Sequence, residues 1–479
     1  MSKRLAAGLI VLAGGLWLVA AARAEEWPQW RGPFFNGSTT ESGLPEKLDP
    51  KANAAWVTDM PGRSDGTPAV WGDRMFVTSM SGDGLLAMCV ERRSGKVLWS
   101  NPVGDTSAVN RTYFGFMKND LATPSPVTDG KMVAFLYATG DFVAFDMDGK
   151  QLWARNLQRD FGRWNVQWIY ASSPLLYKGR LYVQVLHRDV PITRAPMGPK
   201  GKGKGKGKGP GPGAPVTGAP VGTPAPAGVT DAGPAADSYL LAVDPATGKD
   251  LWRHIRPNDA LEETKESYAT PMPLEGKDGK TKIVLIGGDC VTAHDAASGE
   301  EIWRCGGWDP EKIKSWRLVP SVLVVENELV IACPPKGGKM FAIRDGGHGD
   351  VTNTHKAWVS DVLTSDVCVP LYYQGKMFVL DGDKKTLARV EAKTGKKEWS
   401  VSLGGRPVFR ASPTGADGKI YCMNEDAEVW VVSAADGKEL YKGTLAGEED
   451  TVKSRASIVA SHGQVYVRTA GKLYAFEKK

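Results

Sequence analysis

Cysteine is scarce in this chain: six in 479 residues, at positions 89, 290, 305, 333, 368 and 422, with no two adjacent and none in a Cys-x-x-Cys pair. That spacing excludes a disulfide-built scaffold, a zinc knuckle, thioredoxin-type redox chemistry and c-type haem attachment. Cys89 is the first, so no cysteine stands near the N-terminus to take a lipid anchor. Charge is modest as well, 24% of residues. The net +6 is local. Lys3, Arg4, Arg23 and five lysines of one Lys-Gly run (Lys200, Lys202, Lys204, Lys206, Lys208) carry eight positive charges, which leaves the remainder at −2. Such a body gives no electrostatic basis for a sequence-specific nucleic-acid partner. Leu-rich helical stretches are missing, and beyond residue 22 no apolar run is long enough to span a bilayer. No Ser-His-Asp order, paired-carboxylate motif or phosphate-binding glycine loop stands out.

What is present is glycine (56) and tryptophan (16), the bias of a turn-rich β protein. Residues 1–24 read as a secretory signal: Lys3 and Arg4, an apolar run from Leu5 to Ala22, then Ala22-Arg23-Ala24 at the cleavage positions. The expected mature chain begins near Glu25 and is exported, periplasmic or extracellular, soluble, without a lipid anchor and without a transmembrane segment after cleavage. Residues 25–53 form an N-terminal extended segment containing Trp27-Pro28-Gln29-Trp30-Arg31-Gly32-Pro33.

From residue 54 to 479 one phrase recurs. An apolar strand ends near an acid, a tight turn follows, and a second strand carries Trp, as in Gly95-Lys96-Val97-Leu98-Trp99, Gly248-Lys249-Asp250-Leu251-Trp252 and Gly395-Lys396-Lys397-Glu398-Trp399. Asp can bond its own backbone two residues on, and Gly supplies the positive φ the turn needs. A second phrase, Ser/Thr-Pro followed by Gly-Lys/Arg and an aromatic strand, lies upstream, as in Ser173-Pro174 with Gly179-Arg180-Leu181-Tyr182-Val183. Each unit therefore holds four short antiparallel strands, A to D. The strand-D aromatic falls at 56, 99, 153, 252, 303, 358, 399 and 441, mostly 41 to 55 residues apart. Four strands at that period make a propeller blade. The expected fold is all-β: an eight-bladed β-propeller of four-stranded antiparallel blades. The last unit stops at strand C, near Leu473-Tyr474-Ala475-Phe476, so the orphan strand around Trp56 completes it and closes the ring. The one long interval contains residues 188–237, a Pro/Gly/Lys-rich insertion in blade 3 expected to be disordered.

Together the Asp-x-x-Thr-Gly-Lys-x-Leu-Trp ending, the Ser/Thr-Pro phrase and Gly-Lys-x-Tyr-Val resemble the PQQ-like β-propeller repeat over about 420 residues. The WD40 pattern is absent, since none of these Trp is followed by Asp. The resemblance implies one of two functions: a non-catalytic binding or assembly scaffold, or a quinoprotein dehydrogenase that holds PQQ and calcium on the channel axis and oxidises alcohols or sugars. The dehydrogenases commonly carry two adjacent cysteines beneath the cofactor, which this sequence lacks, so the scaffold reading, with no cofactor, is favoured.

In a propeller, strand A lines the central channel. The residue entering each Ser/Thr-Pro phrase then repeats around one mouth, giving the column Asp65, Leu121, Ala171, Tyr268, Arg317, Val367, Arg410 and Arg455. Guanidinium groups suit carboxylate or phosphate, and Tyr268 offers a stacking face, so Asp65, Tyr268, Arg317, Arg410 and Arg455 are the expected ligand-binding residues for an anionic small molecule or a protein segment. No catalytic and no metal-binding residue is expected; His348, Asp350 and His355 read as a solvated Gly-rich turn. Aligning the hairpin around 296–299 sets Cys290 opposite Cys305, which leaves either a disulfide or two buried free thiols.

Overall fold

The computed structural model describes residues 25–82, 84–105, 120–188, 237–316, 318–333, 339–445 and 453–479. The expected signal segment and nearly all of the insertion lie outside them. The described residues form eight separate antiparallel sheets, each running A-B-C-D from the axis outward. Blade 1 is typical: Ala69–Trp71, Arg74–Ser81, Gly84–Glu91 and Val97–Asp105. In blade 8, Ala54–Asp59 is the outermost strand and pairs with Lys472–Glu477, Val57 opposite Tyr474 and Asp59 opposite Lys472, so the ring closes as the sequence predicts. Blade 4 has a fifth strand, because Gly349–Asp350 from the blade 5 connection lies parallel to its outer edge, Trp303 opposite Gly349.

The recurrent Trp and Gly explain each other. Trp56 lies on Gly95 of the next blade, Trp99 on Gly149, Trp153 on Gly248, Trp358 on Gly395 and Trp399 on Gly437. At Gly95, φ is +74° and a Cβ would come within 2.5 Å of the Trp56 ring, so no side chain fits. Each of these indoles also donates to a carbonyl of that turn, as Trp56 Nε1 to Arg92 O at 2.9 Å and Trp153 Nε1 to Pro245 O at 2.8 Å. These five junctions are thus each keyed by one aromatic edge and one hydrogen bond, whereas Trp252 lies on Gly299 without that bond and Trp303 donates to the Asp345 carboxylate.

Every C–D ladder contains a one-residue irregularity just before this aromatic. In blade 4, Ala293 faces Trp303 but His294 faces Glu301, leaving Ile302 unpaired. That bulge corrects the expected cysteine pairing. Cys305 faces Val291, Cys290 faces Gly306, and both thiols are free and buried. A one-residue slip turns the two side chains to opposite faces of the sheet, so they cannot bond.

At the axis, the Ser/Thr of the second phrase ties inner strands together. The amide of Thr67 donates to Ser125 Oγ at 2.9 Å, Ser125 to Ser173 Oγ at 2.9 Å, Ser173 to Thr270 Oγ1 at 3.0 Å and Thr270 to Ser321 Oγ at 2.8 Å. Val369 donates to Ser412 Oγ at 2.9 Å, and Ser457 to Thr67 Oγ1 at 3.0 Å. Each bond crosses from one blade to the next, forming a hydroxyl belt. Ser125→Ala strands the buried Thr67 amide and should cost about 1–3 kcal/mol, read as a lowered urea midpoint; an unchanged midpoint would remove the belt from the stability of the ring.

Residues 27–39 cross one end of the ring. Trp27 bridges to Val70, and Thr128 N donates to Pro28 O. The Gln29 amide both donates to and accepts from the Leu176 backbone, at 3.2 and 3.0 Å. On the far side, Arg31 donates to Pro370 O at 2.8 Å and Pro413 O at 3.1 Å, and Ser38 bridges to Gly415. Arg31 is fully buried with carbonyls rather than a carboxylate around it, and that burial pulls its guanidinium down to about 9. Tertiary bonds along this segment account for the Trp-Pro-Gln-Trp-Arg-Gly sequence.

Candidate functional site

Inside the belt lies an axial cavity of about 210 Å³. Trp30, between Gln29 and Arg31, lines it from the end the N-terminal segment crosses. The belt residues form its wall, and a ring two positions upstream forms its mouth: Asp65, Thr123, Ala171, Tyr268, Val319, Val367, Arg410 and Arg455, with Trp168 beside them.

Four of the five expected site residues, Asp65, Tyr268, Arg410 and Arg455, therefore meet at one mouth. Arg317 lies outside the described residues, and Val319 is the blade 5 residue that lines the cavity. Leu121 is replaced by Thr123, because the blade 2 phrase that enters the belt is Ser125-Pro126 rather than Thr123-Pro124; Leu121 itself is buried in the blade core. In blade 5, Ser321 follows Pro320 instead of preceding a proline, so alignment on proline sets the column two residues early. Trp30 and Trp168 were not expected at the site. Both are tryptophans outside the strand-D position, and that departure from the repeat is the signal that could have found them.

The arginines do not converge as free cations. Arg410 pairs with Asp366 at 3.3 Å and Asp383 at 2.8 Å. Arg455 pairs with Glu425 at 2.8 Å and reaches Asp65 Oδ2 only at 3.9 Å. The Asp65 side chain is 3% exposed, and its Oδ2 accepts no hydrogen bond. Burial first, then the nearby Asp120 carboxylate, push its carboxyl up to about 7 against the opposing pull of Arg455 and Arg63. Asp120 is also raised by burial and is held by Arg63 at 3.3 Å and the Ala122 amide at 2.9 Å. Tyr268 donates to Glu266 at 2.6 Å, and Glu266 is bound to Arg188; burial raises the Glu266 carboxyl to about 7.

PQQ with calcium is the cofactor set the resemblance implies, and the lining does not fit it. Calcium needs several oxygen ligands on one ion, yet among the described residues no three His, Cys, Asp or Glu side chains are grouped to hold a metal. The acids at the mouth, apart from Asp65, are committed to arginines. No cysteine lines the cavity. His348 and Asp350 are exposed, and Asp350 belongs to the fifth strand of blade 4.

An eight-bladed ring with these repeats is a PQQ-type propeller. Over residues 44–188, 236–331 and 347–479 the chain matches the family described as outer membrane protein assembly factor BamB, and it belongs to that family. A polyvinylalcohol dehydrogenase of a Pseudomonas species is 28% identical over 163 residues, 34% of this chain and 23% of that protein; the chain thus spans about a quarter of that relative. Among solved structures, BamB from Moraxella catarrhalis is 12% identical with a TM-score of 0.53, covering 89% of this chain and 99% of that one. Quinohemoprotein alcohol dehydrogenase from Comamonas testosteroni is 11% identical with a TM-score of 0.62, covering 95% and 81%. At those identities the likeness is one of fold. No helix among the described residues is long and apolar enough to cross a membrane.

Proposed function

We propose that this protein is an exported, non-catalytic propeller that binds a protein segment or small anionic ligand at the mouth ringed by Asp65, Tyr268, Arg410 and Arg455. The observation that carries this reading is the state of the mouth arginines. Each is held by carboxylates of neighbouring loops, Arg410 by Asp366 and Asp383 and Arg455 by Glu425, in an arrangement that displays donors without an adjacent nucleophile–base pair. Aromatic faces at Trp168 and Tyr268 complete a surface suited to capture. The match to an assembly factor favours the same reading, and the signal-like N-terminus agrees with export. The dehydrogenase reading is supported by one relative and by fold likeness, and it needs a calcium site that the lining does not offer. The deciding experiment supplies purified full chain with PQQ and calcium. The expected result is no bound-quinone absorbance and no dye-linked alcohol oxidation; steady turnover would make the protein an enzyme.

A further inference from the structure

We propose that the axial cavity binds a carboxylate carried on a single six-membered ring, together with one proton taken up by Asp65. This deepens the binding reading above, on which it rests.

Size comes first. An apolar cavity of about 150 Å³ takes up benzene. A cavity of about 210 Å³ therefore seats one substituted six-membered ring and does not enclose a fused polycycle. The stacking faces are Trp30 at the closed end and Tyr268 and Trp168 at the mouth.

The polar wall then selects the substituent. Thr67, Ser125, Ser173, Thr270, Ser321 and Ser412 each accept an amide hydrogen from the adjacent blade. None of the six hydroxyls donates to an acceptor among the described residues, and all are at least nine-tenths buried. A hydroxyl has one proton and two lone pairs. The wall thus offers a ring of unused O–H donors, with the Arg410 and Arg455 guanidiniums above it. A group rich in lone pairs is what such a ring satisfies, and a carboxylate supplies four acceptor sites.

Asp65 is the one carboxyl among the lining residues, and its buried Oδ2, 3.9 Å from Arg455, accepts no hydrogen bond. As an anion it repels a second carboxylate; protonated, it becomes one more donor. Its surroundings include Asp120 and Glu425, which favour the protonated form, and Arg455 and Arg63, which oppose it. A ligand carboxylate adds a third negative neighbour, so binding and protonation of Asp65 are linked.

The test titrates the full chain with benzoate, following tryptophan fluorescence and calorimetry in two buffers of different ionisation enthalpy. Benzoate should bind near pH 6 and take up about one proton per ligand near pH 8. Its affinity should fall about tenfold per pH unit above about 7. Benzamide, the neutral isostere, should bind at least about tenfold more weakly near pH 6. Asp65→Asn, which has no proton to take up, should flatten the pH dependence of benzoate affinity and abolish the proton uptake. Absence of benzoate binding to folded protein at pH 6 would overturn the proposal. So would equal affinity for benzamide, or a slope that persists in Asp65→Asn. Quinone-dependent turnover would sink the non-catalytic reading without altering this titration, and failure of benzoate to bind would leave that reading standing.

Discussion

Trp56→Ala should cost about 3–5 kcal/mol, the range for emptying a buried Trp site, and should also loosen the whole ring. Trp56 is 9% exposed, donates to Arg92 O and lies on Gly95, so its loss leaves a void between blades 8 and 1. The same substitution at Trp399 removes an equivalent contact, on Gly437 with a bond to Ala435 O. Blade 6, however, is built from continuous chain, whereas blade 8 takes the strand that carries Trp56 from the opposite end of the sequence. Urea unfolding followed by amide exchange of residues 459–477 separates the two. Trp56→Ala should deprotect those amides below the global unfolding free energy, and Trp399→Ala should not. Equal behaviour of the two variants would mean that strand pairing alone closes the ring.

The Asp65→Asn variant should be more stable than the parent at neutral pH and should lose that advantage in acid. The folded carboxyl sits at about 7 against 3.8 for the free group. A carboxyl raised on folding contributes stability that is fully present below about pH 4 and is lost as pH rises through about 7. Over that window the parent should lose on the order of 2–4 kcal/mol from this one group, a loss the asparagine avoids. Glu266, raised to about 7 by its own burial, adds a slope of the same sign to both proteins, so the difference between variants isolates Asp65. Thermal unfolding across pH 4 to 8 gives the comparison; parallel curves would show that Asp65 stays ionised in the fold.

Blade number, blade order and the closing strand were legible because Trp and Gly repeat for one local reason, an aromatic ring lying on a residue that can carry no side chain. The mouth was legible at six positions of the eight and shifted by two residues in blades 2 and 5, where proline is doubled or precedes the serine. Proline is a neighbour of the chemically active position, while the belt hydroxyl is the position itself. The Cys290–Cys305 register was not legible because the bulge at Ile302 leaves no mark in composition. Nor were the partners of Arg410 and Arg455 all readable, since Asp383 and Glu425 reach the mouth through B–C connections rather than through the inner strand. Trp30 escaped because it acts across the diameter of the ring, at a distance in sequence that no repeat encodes.

Mechanically, the belt is a hoop that, among the described residues, leaves one joint open on its inner circumference, between blades 5 and 6, where Val369 presents no hydroxyl to the Ser321 amide. Blades 7 and 8 are fastened by Thr414 Oγ1 to Ile458 O at 2.6 Å instead. The N-terminal segment works against that joint as a tie-bar, gripping blade 3 through Gln29 and blades 6 and 7 through Arg31. Only Trp30 separates the two grips. The bore at that end is therefore gauged by the reach of two consecutive peptide units as well as by the number of blades, and one residue inserted beside Trp30 would relax both the grip and the gauge.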